Sequence, residues 1–282
     1  MFFDAFVSDA WIRVAVSVLV TAYLAWEDHQ TSFMDERVLY AFLAGGLVWN
    51  ILFFPFDALW QVFLAAAVIG GVGYFSYRAG QFGGGDVLLL AGLALWLPAS
   101  PFVSVPVFWP FVLSVFLAAS FLASVGSALW YAELLRKQKK FPGKKIGLFL
   151  LGFLAILAAS HLLPFGVLGK GFVVLLGIPA VFYLVYRQDV VDYAVIAPQR
   201  YSQILDEDVL ALEKLDGKDV EKFGLERVLT LAALKKLKRF MSARKRKTVP
   251  IYRQLPRFGP YLLAGLLLSL ALGDVVWALV AG

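Results

Sequence analysis

The chain has 282 residues, 61% of them hydrophobic and 16% charged, with a formal net charge of +6. Its apolar residues fall in long blocks and not in period-2 or period-3.6 stripes, which excludes an ordinary water-soluble domain and predicts an all-α polytopic membrane protein. The absence of cysteine and the presence of only two histidines, His29 and His161, exclude disulfides, thiol catalysis, Cys-ligated metal and a histidine-based metal centre, so no cofactor is expected.

The first apolar block, 11–26, follows Asp4 and Asp9 instead of a basic stretch and reads as a retained helix, not a cleavable signal. Crossing about 30 Å of hydrocarbon takes roughly 20 apolar residues. Further blocks at 38–54, 58–77, 86–98, 107–132, 146–163, 168–186 and 258–280 bring the expected spans to eight. The fourth, ending at Pro98, would extend only about 20 Å at 1.5 Å per residue. It must tilt little, thin the bilayer or continue irregularly through 99–106, and irregular backbone is tolerable only where protein or water satisfies it. Small residues (Gly45 and Gly46 in the second block; Ala65, Ala66, Ala67, Gly70, Gly71 and Gly73 in the third) permit close helix approach and a compact bundle.

Residues 187–257 are charged and interrupted by Pro198, Gly217 and Gly224, and are expected to form a small, mostly helical cytosolic domain between a bundle at 1–186 and a final span at 258–282. Val190, Val191, Val195 and Ile196 suggest short strands near Pro198. From Gly224 the spacing of Leu229, Leu231, Leu234 and Leu237 predicts a basic amphipathic helix. The run Arg244, Lys245, Arg246, Lys247 then precedes the last span. Juxtamembrane basic clusters bind anionic lipid headgroups, at about 1 kcal/mol per residue, so lipid is the expected partner here and not nucleic acid.

Orientation follows from the short loops. With the N-terminus outside, the inside loops hold Arg37, Arg78 and the cluster Arg136, Lys137, Lys139, Lys140, Lys144 and Lys145, whereas the outside segments hold only Arg13 and Lys170. The 27–37 loop and the 83–86 turn then share the cytoplasmic side of the membrane.

Two acids stand out at that face. Asp86 follows Gly83, Gly84 and Gly85 at the mouth of the fourth span, with no basic residue within seven positions. A helix-capping aspartate is one explanation, but three consecutive glycines also permit positive φ and let another backbone come close. Asp28 ends the first span. Two carboxylates sharing one proton can hydrolyse a peptide without metal, thiol or histidine, one accepting a proton from the attacking water and the other donating to the developing oxyanion.

These residues carry a family resemblance. "FGGGDVLLLAGLALWLP" resembles the Gly-x-Gly-Asp signature of the type IV prepilin peptidases and archaeal preflagellin peptidases, polytopic aspartyl proteases of the cytoplasmic membrane. "DHQTSFMDERVL" is similar to the family's other motif, with Asp28, Thr31, Phe33, Met34, Asp35 and Glu36 in the matching places, and "PRFGPYLLAGLLLSLALGD" resembles its closing segment. The resemblance implies Asp28 and Asp86 as the catalytic pair, Gly83, Gly84 and Gly85 as the turn against which substrate lies, and prepilin- or preflagellin-like precursors with a short basic leader as substrates. Glu27, Asp28, Asp35 and Glu36 would form an acidic rim attracting that leader. The chain departs from the family at Leu88, where many members carry Lys, and at "MDE" in the first loop, where many carry Pro. Methylating relatives have an additional cysteine-bearing domain, so cleavage without N-methylation is expected; residues 187–257 look more like the corresponding part of archaeal members.

Other classes make different demands. A proton- or cation-coupled transporter could use Asp28 and Asp86 as ligands along a pathway, but would favour paired repeats. A presenilin-like protease would need a Tyr-Asp pair and a late Pro-Ala-Leu, where this chain has Glu27-Asp28 and "IPAV" at 178–181. A scaffold protein would be indifferent to conservative changes at either aspartate.

Overall fold

The computed structural model describes all residues except 1, 55, 80–81, 102–109, 138–142, 163–166, 207, 253–256 and 275–282. The described helices run α1 (Phe2–Thr31), α2 (Glu36–Phe53), α3 (Phe56–Arg78), α4 (Gly84–Trp96), α5 (Phe111–Lys137), α6 (Ile146–Leu162), α7 (Val167–Asp189), α8 (Gly217–Phe223), α9 (Leu231–Ala243) and α10 (Gly259–Leu272). Each of the eight expected spans coincides with one of α1–α7 or α10. Among the described residues five helices are long and apolar enough to cross a membrane, while α4, α6 and α10 are shorter. The protein is an all-α multi-pass membrane protein.

The short helix α4 lies at the centre. Val87, Leu89 to Trp96 and Leu97 are buried, with α2, α3, α1 and α5 around them. Glycines set the approach distances: a Cβ at Gly73 would lie 2.5 Å from Val87 Cγ1, at Gly46 2.9 Å from Leu95 Cβ, and at Gly92 2.5 Å from the Phe42 ring. On the other side α10 packs between α1 and α5, and a Cβ at Gly265 would fall 2.6 Å from the Ala119 backbone nitrogen. Of the glycines flagged by sequence, Gly71 faces open space.

The end of α4 at Trp96 resolves the question of the short span. Its terminal carbonyls are taken up by side chains from neighbouring helices: Asn50 Nδ2 donates to Leu95 O (2.8 Å), and Arg13 Nη1 donates to Asn50 Oδ1 (2.9 Å) and Trp96 O (3.4 Å). Arg13 is fully buried, paired with Asp9 at 2.9 Å and set 4.8 Å from the Phe54 ring centroid. Trp49 donates to the same Asp9 carboxylate, and Trp96 Nε1 donates to Phe42 O at 2.8 Å. The chain therefore leaves α4 irregularly through buried Leu97, Pro98, Ser100 and Pro101, supported by protein, while 102–106 lie outside the described residues.

Between α7 and α10 the chain adds an antiparallel sheet of β1 (Ile196–Gln199), β2 (Val209–Leu210) and β3 (Val249–Tyr252), ordered β1-β3-β2. The strands are fewer than the valines suggested. Val190–Val195 continues α7 as a π-helical turn because Val190 and Val195 pack with Tyr131, Leu135 and Tyr186, and that contact overrides β-propensity. The amphipathic helix is present as α9, capped by Thr230, whose Oγ1 accepts from Ala233 N at 3.3 Å. Its inner face differs from the leucine spacing: Ala233, Leu237, Phe240 and Met241 pack on the sheet, while Leu231 is 69% exposed.

Close packing at Gly265 gives a test. Gly265→Ala should cost about 1–3 kcal/mol through overpacking against the α5 backbone, read as a lower unfolding midpoint in detergent. Gly71→Ala, whose Cβ meets nothing within 4 Å, should unfold no earlier than the parent.

Candidate active site

Asp28 lies in the last turn of α1, immediately before the chain reverses. Ser32, at φ 65°, closes the helix by donating its N–H to Asp28 O (2.8 Å). Thr31 Oγ1 contacts Glu27 O and Phe33 O, both at 3.0 Å, and accepts from Phe33 N at 3.2 Å. The Glu27 carboxylate accepts the Asp35 N–H at 2.7 Å, and Asp35 caps α2 by accepting from Arg37 N at 2.8 Å. Of the rim acids, Glu27 and Asp35 thus hold the loop in shape.

Asp86 is the third residue of α4, one turn inside a helix whose cap is the extended Gly83. It is therefore a first-turn acid and not the cap itself. Its carboxylate turns back toward the Gly83 amide, favourably placed at the positive end of the helix dipole. Oδ1 is shielded from solvent and accepts no hydrogen bond from the described residues. None of the three glycines has positive φ; they matter because they lack side chains. A Cβ at Gly83 would lie 3.0 Å from Asp86 Oδ2 and one at Gly85 3.2 Å from Met34, so bulk there would displace the acid or the 32–35 loop.

The two carboxylates, from different helices, line one cavity of about 430 Å³, and the charge of Asp28 acts on Asp86. Gly83, Gly84, Gly85 and Glu36 line it too, whereas Glu27 and Asp35 do not. Arg257 and His29 exert an attractive field on Asp28. Among the described residues no group of three or more His, Asp and Glu could jointly hold a metal ion.

Sequence reasoning gave Gly259 no role, yet it fixes Asp28. Its N–H, at the start of α10, donates to Asp28 Oδ2 at 3.0 Å, and Asp28 is only 8% exposed. A Cβ there would fall 2.8 Å from that oxygen and 2.9 Å from Met34 Cε. The signal was the Phe-Gly-Pro segment, whose contact with α1 lies 231 positions away in sequence. Phe258 joins Phe82 and Phe116 in a ring cluster with centroids 5.5, 5.8 and 6.3 Å apart. That cluster ties the glycine turn before Asp86 to the helix start that holds Asp28.

Gly259→Ala should displace Asp28 without removing any ionisable group. If the pair does chemistry, turnover should fall about 100-fold, as expected for a misplacement near 1 Å, with folded yield retained. Gly143→Ala, with nothing within 4 Å, is the control.

Residues 15–128 match the model of the type IV leader peptidase family, a stretch that includes both aspartates and the glycine turn. No curated protein and no solved structure matches the chain significantly. Through residues 15–128, which hold the shared cavity and both acids, this multi-pass membrane protein is similar to the type IV leader peptidase family.

Proposed function

We propose that the protein is an aspartic-type endopeptidase that removes the short basic leader from prepilin- or preflagellin-like precursors at the cytoplasmic face of the plasma membrane, with its N-terminus outside. The observation that carries this reading is the convergence of Asp28 and Asp86 on one cavity bordered by backbone stripped of side chains. Two carboxylates in such a position share one proton. The ionised one takes a proton from water as its oxygen attacks the scissile carbonyl carbon, and the neutral one protonates the carbonyl oxygen. Collapse of the tetrahedral intermediate breaks the C–N bond, with a proton passing to the departing amine. Gly83–Gly85 leave room for an extended substrate strand beside Asp86, and Glu36 is the rim acid placed to meet a basic leader.

In this reading the product amine is left unmethylated. Lipid contact rests chiefly on Lys245 and Lys247: Arg244 pairs with Asp219, and Arg246 lies 5.6 Å from the Phe240 ring centroid.

Purified protein and a precursor with a basic leader should give two fragments, with the downstream fragment's mass showing a free amine. Asp28→Asn and Asp86→Asn should each lower the rate by at least about 10³-fold at equal folded yield, within the range for losing a positioned acid or base. Equal cleavage by parent and either Asn variant would discard the two-carboxylate mechanism.

A further inference from the structure

The cavity at the carboxylate pair is walled by two helices that scarcely meet. Helices α2 and α3 both pack along α4 but make little contact with each other. Phe53 ends α2 and Phe56 begins α3 at the end remote from the carboxylates, and the two helices stand apart at the near end. There Leu39 and Tyr40 of α2 face Gly70, Tyr74 and Tyr77 of α3 across the cavity. The floor is α4 from Gly84 to Ala91. At 1.5 Å per residue, both that floor and the α3 wall from Gly70 to Tyr77 are about 10 Å long, or two turns of helix.

This cleft opens sideways. Tyr40 and Tyr74 are 56% and 55% exposed on two helices long and apolar enough to cross a membrane, and tyrosine suits the boundary between lipid and headgroups. The deep end is hollowed, for a Cβ at Gly70 would touch only Ala91, at 3.8 Å. Charge is graded along it. The head carries Asp28, Glu36 and Asp86, the deep end is apolar, and no Lys or Arg is among the described residues lining the cavity. An occupant complementary to this gradient has a basic, extended segment followed directly by an apolar helix.

We infer that the apolar helix of the precursor enters from the bilayer between α2 and α3 and rests on α4, so that the bond before that helix is presented to Asp28 and Asp86. This rests on the endopeptidase reading and adds the route of entry and the residues that select for a helical, membrane-resident substrate. Tyr40, Tyr74 and Gly70 recognise the apolar helix, and Glu36 its basic approach. A water-exposed peptide lacking the helix reaches the carboxylates from the open head of the cavity without using the cleft.

Because the chain has no cysteine, the cleft can be closed chemically. Tyr40→Cys combined with Tyr74→Cys, bridged by a bifunctional thiol reagent, is assayed on the intact precursor and on a soluble peptide ending shortly after the scissile bond. Bridging should slow cleavage of the intact precursor by about tenfold or more and leave the short peptide within about twofold. Equal loss for both substrates, or for neither, overturns lateral entry. A parent protein that cleaves neither substrate overturns the endopeptidase reading instead. Should the double variant fold poorly, photoreactive benzoylphenylalanine at Tyr74 in the Asp86→Asn background should capture the precursor, while the same group at Phe75, which does not line the cavity, should not. Capture from Phe75 alone or from neither position overturns the proposal.

Discussion

A helix too short to cross the bilayer must not leave its end in lipid, and the architecture of the bundle follows from meeting that condition. Helix α4 stops at Trp96, and the hydrocarbon around it offers no hydrogen-bond partner for its last carbonyls. Arg13 and Asn50 supply those partners from α1 and α2, and Asp9 balances the arginine. A buried arginine is expensive alone. Here its cost is offset by several charge-assisted bonds, and the result pins α1, α2 and α4 at one depth.

Fixing α4 at one end fixes Asp86 at the other. The carboxylate sits on the first turn of a helix that is buried from Leu89 to Trp96, so helix packing sets its position. Asp28 is held differently, by a helix end that arrives from far along the sequence. The Gly259 N–H and the absence of a Cβ there let the start of α10 come against α1, and α10 in turn lies flush on α5 through Gly265. The Phe82–Phe116–Phe258 cluster closes the circuit between the two anchoring points. The site is thus held from two independent sides, which suits chemistry that tolerates little error in distance.

Glycine performs two separate tasks in this chain. In the bundle, Gly46, Gly73, Gly92 and Gly265 bring helix backbones or large side chains to contact distance. At the cavity, Gly83 and Gly85 protect the positions of Asp86 and Met34 with ordinary negative φ, so it is steric clearance and not backbone freedom that excludes other residues there. Acidic residues divide in the same way. Glu27 and Asp35 are consumed in shaping the turn, which leaves Glu36 among the flanking acids to face the cavity.

The sequence by itself determined the membrane class, the eight apolar helices and the two acids worth watching. Those properties are local: hydrophobic length sets a span, and an unpaired carboxylate beside three glycines is conspicuous without any neighbour. It also contained the short fourth helix as a paradox, because the length deficit is visible while its remedy, Arg13 and Asn50, lies on other helices. Only the tertiary structure decided that Asp28 and Asp86 share a cavity, that Gly259 secures the first of them, and that Val190–Val195 stays helical. Each depends on contacts between segments distant in the chain, where packing outweighs local preference and no spacing in the sequence records which helix faces which.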